Sequence, residues 1–133
     1  MRKIGLLAGI ALAALTAVAA PHLFQCRKCR VTAVKNSTPS VFNCPASGHH
    51  LWGDLGEVGE YVHLCRKCRQ LAATRRPPSV FNCPASGHHL WTRLGELGRE
   101  QYQCRKCRLR VALRRTPAVF DCPAGGHHQW SRL

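Results

Sequence analysis

Cys104-Arg105-Lys106-Cys107-Arg108 is followed, after a gap of fourteen residues beyond Cys107, by Cys122-Pro123-Ala124-Gly125-Gly126-His127-His128-Gln129-Trp130. Two cysteines with two residues between them curl their sulfurs toward one point. The proline and glycines after Cys122 make a second tight turn. That turn brings one more sulfur and an imidazole back toward the first pair. Thiolate and imidazole are the usual donors to a tetrahedral zinc ion. The gap between the turns is long enough for two short strands.

The same pattern occurs twice more, each time 39 residues earlier. Cys26, Cys65 and Cys104 stand in register, as do Cys29, Cys68 and Cys107, then Cys44, Cys83 and Cys122. The pairs His49-His50, His88-His89 and His127-His128 keep the step, and so do Trp52, Trp91 and Trp130. All nine cysteines and all three tryptophans of the 133-residue chain belong to the repeat. The organisation is therefore three tandem units, 23–55, 62–94 and 101–133, rather than one domain with one core.

Within each unit the variable stretch is rich in β-branched and apolar residues, as in Val31-Thr32-Ala33-Val34, and reads as a short strand. Pro39, Pro78 and Pro117 punctuate the return. His50 and Trp52, two apart, suit a second strand leaving the turn. A small apolar cluster is expected in each unit: Phe42, Trp52, Leu55 and the valines in the first, then Phe81, Trp91 and Leu94, then Phe120, Trp130 and Leu133. The acidic, glycine-bearing linkers 56–60 and 95–100 read as hinges of limited stiffness, or a turn of helix. The fold class is thus small β-rich, metal-stabilised modules after an N-terminal hydrophobic helix.

The ligand set per unit is Cys3His. The candidates are Cys26, Cys29, Cys44 and His50; Cys65, Cys68, Cys83 and His89; Cys104, Cys107, Cys122 and His128. The second histidine of each pair is favoured. One residue beyond Gly48 gives the turn room to return the ring, and puts it on the same face as Trp52. His49, His88 and His127 are the competing donors, or else support the ligands or lie exposed. Disulfides are the rival use of the cysteines. Three sulfurs cannot pair off within a unit, nor nine within a monomer. Haem attachment would need histidine directly after the second cysteine, where Arg30, Arg69 and Arg108 stand.

The pattern resembles the zinc-ribbon class, and more narrowly small bacterial and phage modules of the form Cys-x2-Cys … Cys-Pro-x-Gly-Gly-x-His-x-Trp. The third unit matches that form best. Ser47 and Ser86 replace the first glycine in the other two, and arginine follows the second cysteine where many zinc ribbons have glycine. The resemblance covers 23–133 and implies a β-rich ribbon, zinc binding, and His128 as ligand with His50 and His89 equivalent. Three zinc ions, one per module, are expected as the cofactor. About 33 residues cannot bury enough apolar surface to offset an ordering entropy of roughly 1–2 kcal/mol per residue. Structural zinc supplies about 10–16 kcal/mol, so folding is expected to depend on the metal.

The formal charge is +14. Seventeen of the 20 lysines and arginines sit in the modules, including the doublets Arg75-Arg76 and Arg114-Arg115, where the first module has Asn36-Ser37. Glu57, Glu60, Glu96 and Glu100 sit in the linkers. Such a basic array suits a polyanion (nucleic acid, anionic lipid or acidic polymer) or an acidic protein. No recognition helix is evident, so base-specific DNA reading is not supported.

Met1-Arg2-Lys3 and the uncharged run 4–20 form a basic and then an apolar region, read as a signal peptide cleaved after Ala19 or as an uncleaved membrane anchor. Cationic residues flank both sides of the run, so a cytoplasmic-facing anchor stays open beside export to a periplasm or the exterior. An enzyme is not expected. No paired acids, Ser/His/Asp set or phosphate-cradling glycine loop is present, and a filled Cys3His site leaves no position for an activated water. No small-molecule substrate is implied. The leading function is a non-catalytic zinc-binding repeat that presents a basic surface. The alternatives are an exported or anchored structural or protein-interaction repeat without a nucleic-acid role, and thiol or metal buffering.

Overall fold

The computed structural model describes residues 20–133, so the signal peptide or anchor expected over 1–20 lies, but for Ala20, outside them. Seven strands follow one another: β1 (His22–Cys26), β2 (Thr32–Lys35), β3 (Trp52–Cys65), β4 (Leu71–Thr74), β5 (Trp91–Cys104), β6 (Arg110–Leu113) and β7 (Trp130–Arg132). Among the described residues there is no helix, and so none long and apolar enough to cross a membrane.

All pairings are antiparallel, in the order β2-β1-β3-β5-β6, with β4 also on β3 and β7 also on β5. The repeat explains this order. In each module the strand entering the first knuckle is flanked by the strand leaving it and by the strand leaving the histidine turn. The third strand of one module then runs without a break into the first strand of the next. β3 is both Trp52 onward in the first module and Tyr61–Cys65 in the second; β5 repeats this between the second and third.

The linkers expected as hinges are therefore the middles of two 14-residue strands. What holds them is non-local. Arg75 N–H donates to Glu57 O at 3.0 Å, Arg114 N–H to Glu96 O at 2.9 Å, and Val58 N–H to Pro21 O at 3.0 Å. The strands are not straight. The register slips between Val58 and Tyr61, both opposite Thr74, and again between Leu97 and Glu100, both opposite Leu113. Such bulges bend a strand and increase its twist.

The apolar core also differs from the per-module clusters. Val62, Leu64, Leu94, Tyr102, Val111 and Leu113 form one buried group, with Leu71, Leu109 and Trp130 against it. It belongs jointly to the second and third modules. Leu55 and Leu94 are buried as expected, and Trp52, Trp91 and Trp130 are half-buried. Phe42, Phe81 and Phe120 are not in a core: they are 65%, 61% and 60% exposed, and Leu133 is 60% exposed. The phenylalanines lie in the loop that delivers the third cysteine, one residue before Asn43, Asn82 or Asp121, whose φ is 62°, 64° or 60°. A chain turning there has no sheet beneath it. Each ring instead rests edge-on against the first histidine of the pair, at centroid distances of 5.5, 5.3 and 5.5 Å.

Candidate metal centre

The first knuckle is closed by two backbone bonds. In the second module Cys65 N–H donates to Gln70 O at 3.0 Å and Arg69 N–H to Cys65 O at 2.7 Å; the other modules repeat both. This turn forces the residue after the second cysteine into the left-handed region. Arg30, Arg69 and Arg108 have φ of 67°, 64° and 69°. Arginine there costs about 1–2 kcal/mol relative to a residue without a Cβ. Glycine would recover that, less about 0.4–1 kcal/mol for its freer unfolded chain. Arg108→Gly is therefore expected to raise folding stability by about 0.5–1 kcal/mol, read as a higher denaturant midpoint for the metal-loaded full chain. An unchanged or lower midpoint would mean that the Arg108 side chain supports the knuckle.

The second turn is built alike. Cys83 N–H donates to Gly87 O at 3.2 Å, and His89 N–H to Val80 O at 2.6 Å. The two turns are then tied together: Arg66 N–H reaches Leu90 O at 3.1 Å, and Leu90 N–H points at Cys65 Sγ at 3.4 Å. Lys67 adds a clamp that the sequence reading missed. Its ammonium donates to the carbonyls of Ser86 and of His88, the latter at 3.0 Å. Lys28 does the same to Ser47 and His49, and Lys106 to Gly125 and His127. In the sequence these lysines count toward a basic strip; in the fold they close the histidine turn. Only their recurrence between the two knuckle cysteines could have signalled this.

The twelve candidate residues come together as three groups, each with its four donor atoms within 4.8 Å of one another. In every group the sulfurs of the first and third cysteines are 4.0 Å apart. The second sulfur lies 3.6 Å from Nδ1 of the second histidine. A tetrahedron with zinc–sulfur bonds of about 2.3 Å and a zinc–nitrogen bond of about 2.0–2.1 Å has edges of roughly 3.8 and 3.6 Å. The donor set therefore fits a tetrahedral ion of that size. The sulfurs are also far beyond the roughly 2.05 Å of a disulfide. His49, His88 and His127 are exposed and take no part in the groups.

The electrostatics of each group suit a cation held among its donors. Burial opposes ionisation of Cys26 and Cys104. N–H groups of the knuckle, with His50 and His128, outweigh it and bring both thiols down to about 6. Cys68 and Cys107 are pushed up, to about 12 and 11, by burial and by the neighbouring sulfurs. Three buried thiolates cannot coexist without a cation between them. Burial, with Lys67 nearby, lowers His89 to about 4, so its ring is neutral and has a lone pair to give. The indoles of Trp52, Trp91 and Trp130 stack on the ligand imidazoles at 4.6, 4.5 and 4.6 Å; all four ligands are buried in the second and third groups, while Cys29 and His50 of the first are half-buried. Nε2 of His89 and of His128 is buried with no hydrogen-bond partner. With Nδ1 turned inward, those rings are held by the indole and the backbone rather than by a polar second contact.

Successive modules also touch through side chains. Arg27 reaches Asn82 Oδ1 at 3.5 Å, and Arg66 reaches Asp121 Oδ1 at 3.0 Å, where Thr92 also donates to Oδ2 at 3.0 Å. Arg30 donates to Cys68 O at 3.2 Å. Glu57 and Glu96 lie 3.9 and 3.3 Å from Arg75 and Arg114. The linker acids thus partly neutralise the first arginine of each doublet.

Comparison with protein-family models, with curated proteins and with solved structures finds no match. The chain is a β-rich repeat protein with three clusters suited to metal.

Proposed function

We propose that the protein is a non-catalytic zinc repeat of zinc-ribbon type, carried through export or on a membrane anchor, whose basic modules bind a polyanion. The observation that supports zinc most directly is the threefold recurrence of a Cys3His group with tetrahedral edges. Cys26, Cys29, Cys44 and His50 hold the first ion, with the equivalent quartets around Cys83 and Cys122 holding the others. Four protein donors complete the tetrahedron. Zinc supplies folding energy at such a closed site and has no place for a reacting water.

The polyanion reading rests on charge. Arg76 and Arg115, the second arginine of each doublet, form no ion pair among the described residues. One experiment addresses both halves. The chain without its first 20 residues is purified, its metal measured by elemental analysis, and its free thiols counted before and after chelation. It is then titrated with heparin across a salt series. Three zinc per chain, masked thiols and binding that weakens with salt are expected. Metal-free, oxidised cysteines would overturn the zinc assignment.

A second reading is favoured by the exposed Phe42, Phe81 and Phe120. A recurring exposed aromatic edge suits a protein partner. Three zinc with no heparin binding at moderate salt would leave that reading standing.

A further inference from the structure

The second module has a cleft between β3, β5 and the end of β4, at positions where the three modules carry different residues. It has a volume of about 300 Å³ and is lined by Tyr61, His63, Arg75, Arg76, Trp91 and Arg93, with Pro77 at its edge. His63 lies directly opposite Arg93 in the β3–β5 register, as Phe24 lies opposite Asp54 and Tyr102 opposite Arg132. In the first module the position is an acid, Asp54, which His22 contacts at 3.0 Å. In the third, Arg132 is neutralised by Glu100. In the second, the residue facing the cation is Tyr61, and the guanidinium of Arg93 lies 3.7 Å over its ring. An aromatic face orders the arginine without cancelling its charge.

The rest of the cleft follows the same direction. Arg75 and Arg76 replace Asn36 and Ser37 of the first module. The third module keeps the doublet as Arg114 and Arg115, but its strand pair is already an ion pair. His63, 3% exposed and 3.4 Å from Thr74 Oγ1, stands where the other modules have Phe24 and Tyr102. Among the described residues, Glu57, 3.9 Å from Arg75 and both exposed, is the carboxylate paired to the cleft's arginines. Three arginines thus line one small concavity, and the ion pair of Arg75 with Glu57 is long and exposed. Arginine's planar fork matches phosphate oxygens in pairs, and the volume is that of a small ligand site.

We propose that this cleft of the second module binds a phosphate group, with Arg93 as its anchor and Arg75 and Arg76 closing over the oxygens. The site narrows the polyanion reading above to one group on one module, and it rests on that reading for its class of ligand. The phosphate could be free or the monoester headgroup of a lipid.

The test uses the metal-loaded full chain at fixed ionic strength. One arm titrates inorganic phosphate, following the Trp91 indole N–H by NMR. The other measures binding to phosphatidylcholine vesicles with and without phosphatidic acid. Tyr61→Glu recreates the ion pair of the third module without removing any guanidinium, and should weaken phosphate binding about tenfold or more, the scale of one charge-assisted contact. Arg93→Asp recreates the residue of the first module and should do the same if Tyr61→Glu fails to fold. Arg132→Asp, in the third module, is the control and should change binding less than twofold.

Loss in the phosphate arm assigns a free anion; loss confined to phosphatidic acid vesicles assigns a headgroup. No binding in either arm, or equal weakening by Arg132→Asp, overturns the site. Heparin binding that survives Tyr61→Glu while phosphate never binds would sink the cleft alone. Phosphate binding without heparin binding would sink the broader polyanion reading and leave the cleft.

Discussion

Cys83→Ser is expected to cost the protein more than one metal ion. Elemental analysis should find fewer than two zinc per chain, whereas Cys44→Ser should retain two of the three sites. The reason is the sharing of strands. Removing a thiolate from the second site forfeits much of a term worth about 10–16 kcal/mol, against a net stability of only about 5–15 kcal/mol for a domain. β3 and β5 both pass through that module. β5 also carries Tyr102 and Cys104 into the third module, and Val62, Leu64 and Leu94 of the second complete the core around Val111 and Leu113. When the second module opens, the third loses half its apolar cover. The first loses less, because none of its residues belongs to that core. Amide exchange at Val111 and Leu113 gives the independent readout. Protection there should collapse in Cys83→Ser and persist in Cys44→Ser. Two zinc ions and full protection in both variants would show three modules that fold separately.

That coupling was not legible in the sequence, although the site was. The metal groups depend on short-range geometry: a two-residue gap between cysteines, a glycine turn, and a histidine two residues before a tryptophan. Such spacing survives whatever the rest of the chain does, and the same twelve residues converge in the fold. The strands β2, β4 and β6 were readable from their apolar, partly β-branched composition. The linkers were not. Gly56, Glu57, Gly59 and Glu60 are residues that strands disfavour, so local preference points to a hinge. Their extended conformation comes from partners distant in sequence, Pro21 and Arg75. The phenylalanines failed for the opposite reason. Hydrophobicity alone assigns Phe42 to a core, but the left-handed turn at Asn43 carries it away from every sheet.

Gly59→Ala and Gly98→Ala are expected to be among the most damaging substitutions outside the metal groups, although each adds only a methyl group. Neither glycine is in a left-handed conformation, so the case rests on space alone. A Cβ at position 59 would sit 2.4 Å from Arg75 N and 2.5 Å from Arg75 Cα. At 98 it would sit 2.5 Å from Arg114 N and 2.7 Å from Arg114 Cα. These are backbone atoms, and they are fixed by the bonds from Arg75 to Glu57 and from Arg114 to Glu96. Relief requires breaking the contact where β4 or β6 ends against the bulge, which is the contact that keeps the long strand continuous. Each substitution should cost about 3 kcal/mol, at the upper end of overpacking. Gly48→Ala is the comparison. Its φ is 55° with open space around the Cβ, so it should cost only about 1–2 kcal/mol. Denaturant midpoints of the metal-loaded chains give the order. A Gly59→Ala midpoint no lower than that of Gly48→Ala would mean that β3 passes β4 without close contact. The linker would then be the hinge its composition suggests, and the coupling between modules would have to come from the arginine bridges to Asn82 and Asp121 instead.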